Sequence, residues 1–342
     1  MRRLAHSRTA RFALMGVVIG VLVLLAIWRG PDVSVIGHAF TRVRWEWVAA
    51  AVGINFVSVV VRSMAWNVVL HEALAPPYPR LRSVFAAFSV GLLGNAALPG
   101  RVGEIARIAV PSRRTARRSG AWATIAGSVF AHRIFDVVAS VSLVVAVLYT
   151  ARIPDWAGRA FAILIGIGVG LLLAAFLLAR RRHHPLSDEL GPVRRLIAMA
   201  RRGLAVLHHP DRAALALVLQ LLGWAAQLFA VYTAFKAFRI GAPIPAAALV
   251  LVLMNLATVF PLWPGNIGLL QAAVALPLLR YGVGYGHGFA FGIGLQAIEA
   301  SVGVGLGLVF LTREGFSFAM LRHIPEVTEI DVDEDERVER IA

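Results

Sequence analysis

The segment LPGRVGEIARIAVP at 98 to 111 sets three charged side chains, Arg101, Glu104 and Arg107, inside an apolar region. Pro99 and Gly100 break the backbone, so a helix restarting near Gly103 turns its unpaired N–H groups and positive dipole end toward the break. Arg101 adds a full charge there, and Arg107, a little under two turns further on, borders the same face. This is an anion site of the kind that receives a phosphate-bearing headgroup. Glu104 and Arg107 stand at i, i+3, a spacing suited to a pair that lowers the cost of burying each. The structural alternative is a charge network that only pins the segment.

Arg133 and Asp136 of HRIFD repeat the i, i+3 spacing beside His132, for which a hydrogen-bonded core position is expected. A second broken segment, WPGNIGLLQAA at 263 to 273, offers Asn266, Gly268 and Gln271 as ligand contacts around the hairpin residues Pro264 and Gly265. Its helix, restarting over about 267 to 280, presents another positive end. Asn95, Asn255 and Gln271 are expected to satisfy backbone groups first. Arg62, well inside its own helix, can partner Glu104 or Asp136.

Other chemistries are excluded by residue type. The chain has no cysteine, which removes disulfides, thiolate nucleophiles and thiolate metal sites. Neither G-x-x-x-x-G-K-[ST] nor H-E-x-x-H occurs, and the adjacent pairs His183-His184 and His208-His209 are a weak metal signal. No cofactor, metal or catalytic residue is expected.

The elements that must position these residues are membrane helices. Of 342 residues, 58% are hydrophobic and 15% charged, and the mean hydropathy is +0.73, outside the soluble range. Apolar runs at 12 to 28, 45 to 70, 121 to 150, 160 to 179, 213 to 238 and 287 to 312 predict six full transmembrane helices. The first follows MRRLAHSRTAR, lacks a small-x-small site after it and reads as an uncleaved signal anchor. Residues 82 to 111 and 244 to 281 read instead as re-entrant hairpins. Arg101, Glu104 and Arg107 would each cost about 2.5 kcal/mol or more in hydrocarbon, and the Pro and Gly breaks need protein or water to satisfy the backbone they open. The formal charge of +15 is assigned mainly to cytoplasmic loops, with both termini inside. A nucleic-acid partner is not expected.

Pro99-Gly100-Arg101-Val102-Gly103 and Pro264-Gly265-Asn266-Ile267-Gly268 share P-G-x-x-G at an offset of 165 residues. The same offset carries the helix at 45 to 70 onto 210 to 235 and that at 121 to 150 onto 286 to 315. Three crossings between equivalent points invert the second copy, the arrangement of secondary transporters with paired interrupted segments at the midplane.

LPGRVGEIAR, HRIFD and PGNIGLLQAA together resemble the flippase-like transmembrane family of lysylphosphatidylglycerol synthases. Pro99, Arg101, Gly103, Glu104 and Arg107 match its first motif, Arg133 and Asp136 its second, and Pro264, Gly265 and Gly268 its third. The resemblance covers roughly residues 10 to 315. It departs at His132 and Gln271, where the family favours Glu, at Asn266, where it has Gly, and at Gln296, which stands for a common Arg. The resemblance implies movement of lipids or aminoacyl-lipids between leaflets. With only thirty residues after Thr312, no soluble aminoacyl-transfer domain and no synthase activity are expected.

The sequence therefore predicts an all-α polytopic membrane protein with one transmembrane domain at 1–315, repeat halves at about 45–150 and 210–315, and a basic cytoplasmic loop at 180–212. An acidic, disordered tail is expected at 316–342. The expected partner is a membrane lipid, anionic or lipid-linked. A lipid translocator is the first reading; a membrane subunit of a lipid-modifying or glycosyl-transfer enzyme, or a scaffold, is the alternative. Self-association and a neighbouring membrane enzyme are left open as protein partners.

Overall fold

The computed structural model describes residues 32–74, 76, 78–97, 103–115, 121–153, 155–180, 203–259 and 266–313. The expected signal anchor at 12 to 28, the residues Pro99, Gly100, Arg101, Pro264 and Gly265, most of the basic loop and the acidic tail lie outside the described residues.

The described chain is helical, with no strand among the described residues. Its helices are α1 (Val33–Thr41), α2 (Trp45–Ala73), α3 (Leu81–Ala97), α4 (Gly103–Thr115), α5 (Ala121–Thr150), α6 (Asp155–Arg180), α7 (Pro210–Ala237), α8 (Ile244–Val259), α9 (Leu269–Leu278) and α10 (Tyr285–Arg313). A 3-10 helix, Leu204–His208, precedes α7, and a 3-10 turn, Leu279–Tyr281, extends α9. Asp32 caps α1 by accepting the Ser34 N–H at 2.8 Å, and this backbone hydrogen bond holds its carboxyl below the usual carboxylate range.

Among the described residues, four helices are long and apolar enough to cross a membrane: Trp45–Ala73, Thr124–Thr150 within α5, Pro210–Ala237 and Tyr285–Arg313. At 1.5 Å per residue a helix of 29 residues reaches about 43 Å, ample for a hydrocarbon core of about 30 Å. The apolar stretch of α6, Phe161–Ala175, is shorter, as are Leu81–Ala96, Ile244–Thr258 and Leu269–Tyr281. Large apolar side chains point outward, among them Ile163, Ile167 and Leu171 on α6 and Leu215, Val218 and Leu222 on α7. With lipid as the solvent, such faces need no further cover.

The two largest of four apolar clusters among the described residues hold the bundle. Trp66, Leu70, Phe88, Leu93, Ile108 and Ile125 centre one on α2 to α5. The other, on α7 to α10, is built around Phe235, Phe238, Leu251, Val274, Phe291 and Leu295. Between them α2 and α7 run antiparallel: the Arg44 N–H donates to the Ala237 carbonyl at 3.0 Å, and the Ser58 hydroxyl to the Gly223 carbonyl at 2.7 Å.

Helix order and bounds repeat. Shifted by 165, the bounds of α2 to α5 become 210–238, 246–262, 268–280 and 286–315, close to those of α7 to α10. Ser58 and Gly223 are themselves 165 residues apart, as are Arg62 and Gln227, which also touch.

Candidate functional site

Helix α4 begins at Gly103, where the sequence pattern expected a restart, and crosses α3 at glycine. A Cβ on Gly91 would stand 3.0 Å from the Gly103 carbonyl oxygen, and one on Gly103 would overlap the Gly91 carbonyl. This close crossing brings Arg107 down between two rings. Its guanidinium carbon lies 4.0 Å from the Trp66 ring centroid and 4.4 Å from that of Phe88. The residue is 4% exposed, and Nε and Nη2 have no hydrogen-bond partner among the described residues. Cation–π contacts return about 0.5 to 2 kcal/mol each, less than burial of a charged group removes. The Glu104–Arg107 pair expected from the i, i+3 spacing does not form.

Glu104 turns instead to α5, where its Oε1 pairs with Arg133 Nη2 while Oε2 stays buried and unpartnered. Arg133 Nη1 reaches Asp136 Oδ2 at 3.1 Å, the expected i, i+3 pair. Asp136 Oδ1 accepts from Arg62 Nη2 at 2.9 Å, from Trp224 Nε1 at 3.1 Å and from Gln220 Nε2. Arg62 thus takes Asp136, one of its two expected partners. Gly223 makes room for it, because a Cβ there would fall on the stem of Arg62. Arg62 Nη1 also donates to Gln227 Oε1 at 3.3 Å, and Gln227 Nε2 to Glu299 Oε1 at 3.4 Å.

His132 is 1% exposed and lies edge-on to Phe88 at 6.1 Å. Among the described residues neither ring nitrogen has a hydrogen-bond partner, so the expected core position holds while the expected hydrogen bond does not form. Arg107, His132, Glu104, Gly103, Asn95 and Arg62 are among the residues lining a cavity of about 50 Å³ at α3, α4 and α5. A water needs about 10 to 15 Å³ by this measure, so the space suits a few waters or a compact oxyanion. Three arginines and two carboxylates line it, and of these arginines Arg107 makes no ion pair among the described residues.

Of the site residues predicted from sequence, Gly103, Glu104, Arg107, Arg133 and Asp136 meet at this cavity. Asn266, Gly268 and Gln271 do not line it and cluster at the start of α9. Asn266 Nδ2 donates to the Ala257 carbonyl at 3.0 Å. Gln271 accepts the Gly268 N–H at 2.5 Å and donates to Gln296 Oε1 at 2.5 Å, while Gly268 holds φ +89°. Asn255 Nδ2 binds the Leu251 carbonyl at 2.8 Å, the backbone role expected of it. Trp66, Phe88, Gln220, Trp224 and Gln227 were not singled out in the sequence. The repeat offset applied to Arg62 points directly at Gln227, and Gln220 and Gln227 share a helical face within an apolar run. Among the described residues no three His, Asp or Glu side chains converge as a metal site requires.

The family described as the lysylphosphatidylglycerol synthase TM region matches residues 13–307. The chain belongs to it. This family's transmembrane region takes in every described helix but the last residues of α10, and with them both polar clusters. With its apolar helices, the chain is a multi-pass membrane protein. No curated protein and no solved structure matches it.

Proposed function

We propose that this member of the family is a flippase-like translocator that recognises the anionic headgroup of a lipid or lipid-linked intermediate in the cavity at α3, α4 and α5. One observation carries the reading: Arg107, buried and without an anionic partner, faces a polar cavity beside the first turn of α4. A headgroup oxyanion would supply the hydrogen bonds that Nε and Nη2 lack, and the ring of His132 stands ready beside it. Arg101, six residues earlier, is the second basic group assigned to the headgroup.

The framework of this reading is an inverted repeat, α2 to α5 and α7 to α10, with a re-entrant hairpin in each half. In its support, the antiparallel helices α2 and α7 meet through Ser58 and Gly223 and through Arg62 and Gln227, each residue against its own counterpart. Antiparallel counterparts in contact are what a two-fold axis in the membrane plane produces. The proposed setting is the cell membrane with both termini and the basic loop on the cytoplasmic side.

The test is leaflet exchange of a fluorescent phosphatidylglycerol in proteoliposomes. Arg107→Ala and Arg101→Ala are each expected to abolish exchange while the protein elutes and melts as a folded species. Unchanged exchange in both variants would reject the reading. Enzymatic turnover that depends on Glu104 or Asp136 would replace it with the enzyme-subunit alternative.

A further inference from the structure

Glu299 stands at the middle of the 29-residue α10, about 21 Å of helix from either end and therefore near the bilayer midplane. Its side chain faces the bundle, where Oε1 accepts from Gln227 Nε2 at 3.4 Å, a long contact. Among the described residues no cation lies within ion-pairing distance of it.

The helices packed against α10 offer little else. From α2 the facing charge is Arg62, one amide away through Gln227. On α7 the ionisable groups are Asp211 and Arg212 at the start and Tyr232 and Lys236 in the last two turns. Helix α3 carries only Arg82, in its first turn, and α9 carries no ionisable residue. The single titratable group of α1, His38, is exposed. An unpaired carboxylate at mid-membrane is costly and marks a functional position by default. Unlike Asp136, with donors from Arg62, Arg133, Gln220 and Trp224, Glu299 is not held by a structural network.

We propose that Glu299 is a proton-binding site that couples proton entry to the charge arrangement at the cavity through Gln227 and Arg62. The coupling part rests on the translocator reading; the proton site does not. In the ionised form Glu299 accepts from the Gln227 amide NH2, whose oxygen accepts from Arg62. When a proton from the aqueous phase adds to a Glu299 carboxylate oxygen, the acid O–H becomes a donor that competes for that same amide oxygen. Arg62 then gives up its contact with Gln227 and turns wholly to Asp136, which shifts the charges lining the cavity. No other bond forms or breaks.

Infrared difference spectroscopy of the full chain in nanodiscs, on acidification, tests the proton site. The wild type is expected to gain a carboxylic-acid C=O band that Glu299→Gln lacks. Gln227→Leu, which keeps the acid, should retain the band at a shifted frequency and so guards against misfolding of the first variant. Identical spectra from the wild type and a folded Glu299→Gln would overturn the proposal. For coupling, phosphatidylglycerol distribution is read in vesicles with and without a pH gradient. One proton per lipid biases the leaflets by about tenfold per pH unit, and Glu299→Gln should remove the bias. Wild-type exchange indifferent to the gradient would overturn coupling and leave translocation standing. Absence of exchange under every gradient would instead reject the translocator reading, with the infrared result still deciding the proton site.

Discussion

The two broken segments share a helix order and differ in where their backbones touch. In the first half the close crossing lies between α3 and α4, at Gly91 and Gly103. In the second it lies between α9 and α10: a Cβ on Gly288 or Gly292 would stand 3.0 Å from the Cα of Ala275 or Gln271. The first arrangement leaves α4 and α5 joined by the Glu104–Arg133 pair around a polar cavity, whereas the second seats α9 directly on its neighbour. Charge follows the same division. Shifted by 165, Arg62, Glu104, Arg107, Arg133 and Asp136 fall on Gln227, Leu269, Ala272, Ile298 and Ser301. One helix order thus supports an ionic site in one half and, Glu299 apart, an amide-linked apolar packing in the other, according to which helix pair the glycines bring together.

The largest break in this contrast is expected at Asp136. Asp136→Ala leaves two arginines, Gln220 and Trp224 without their acceptor and should destabilise the protein by about 3 to 5 kcal/mol. Ser301→Ala at the matching position loses one hydroxyl contact to the Ile298 carbonyl and should cost under about 0.5 kcal/mol. Thermal unfolding of both in nanodiscs checks the pair. Arg107→Met, which replaces an unpaired buried cation with an apolar side chain of similar length, should raise stability by about 1 to 4 kcal/mol while exchange is lost. Lower stability would show that Arg107 is a packing element.

Gly103→Ala forces α3 and α4 apart and should cost about 1 to 3 kcal/mol, the range for overpacking. Spin labels on the two helices should report the separation, and α9 against α10 should not move. The smallest effect is expected at Gln271→Leu, which removes the acceptor for the Gly268 N–H and the bond to Gln296, for about 1 kcal/mol. Faster amide exchange confined to the start of α9 is the measurement that checks it.

Much of this plan was legible in the sequence. The long apolar runs became α2, α5, α7 and α10, and Gly103 and Gly268 marked where α4 and α9 begin. The 165-residue offset carries the bounds of α2 to α5 close to those of α7 to α10. Partner choice among the charges was not legible, because i, i+3 spacing describes one helix surface and not the helix opposite. Glu104 and Arg107 share a helix, yet the glycine crossing sends one carboxylate to α5 and one guanidinium between Trp66 and Phe88. For His132 the core position was legible but its place on the cavity wall was not, since a chain of residue types does not reveal a pocket wall built from three helices.

If the two halves form the proposed inverted repeat, the Ser58–Gly223 contact has a mechanical meaning. A point where a residue meets its own counterpart lies on the axis relating two halves, and an exchange of their positions leaves that point still. It would act as a fulcrum, with excursions growing toward the ends of α2 and α7. The chain has no native cysteine, so paired cysteines near the ends of α2 and α7 can be bridged without background. If the halves rock about this point, such bridges stop exchange and their reduction restores it.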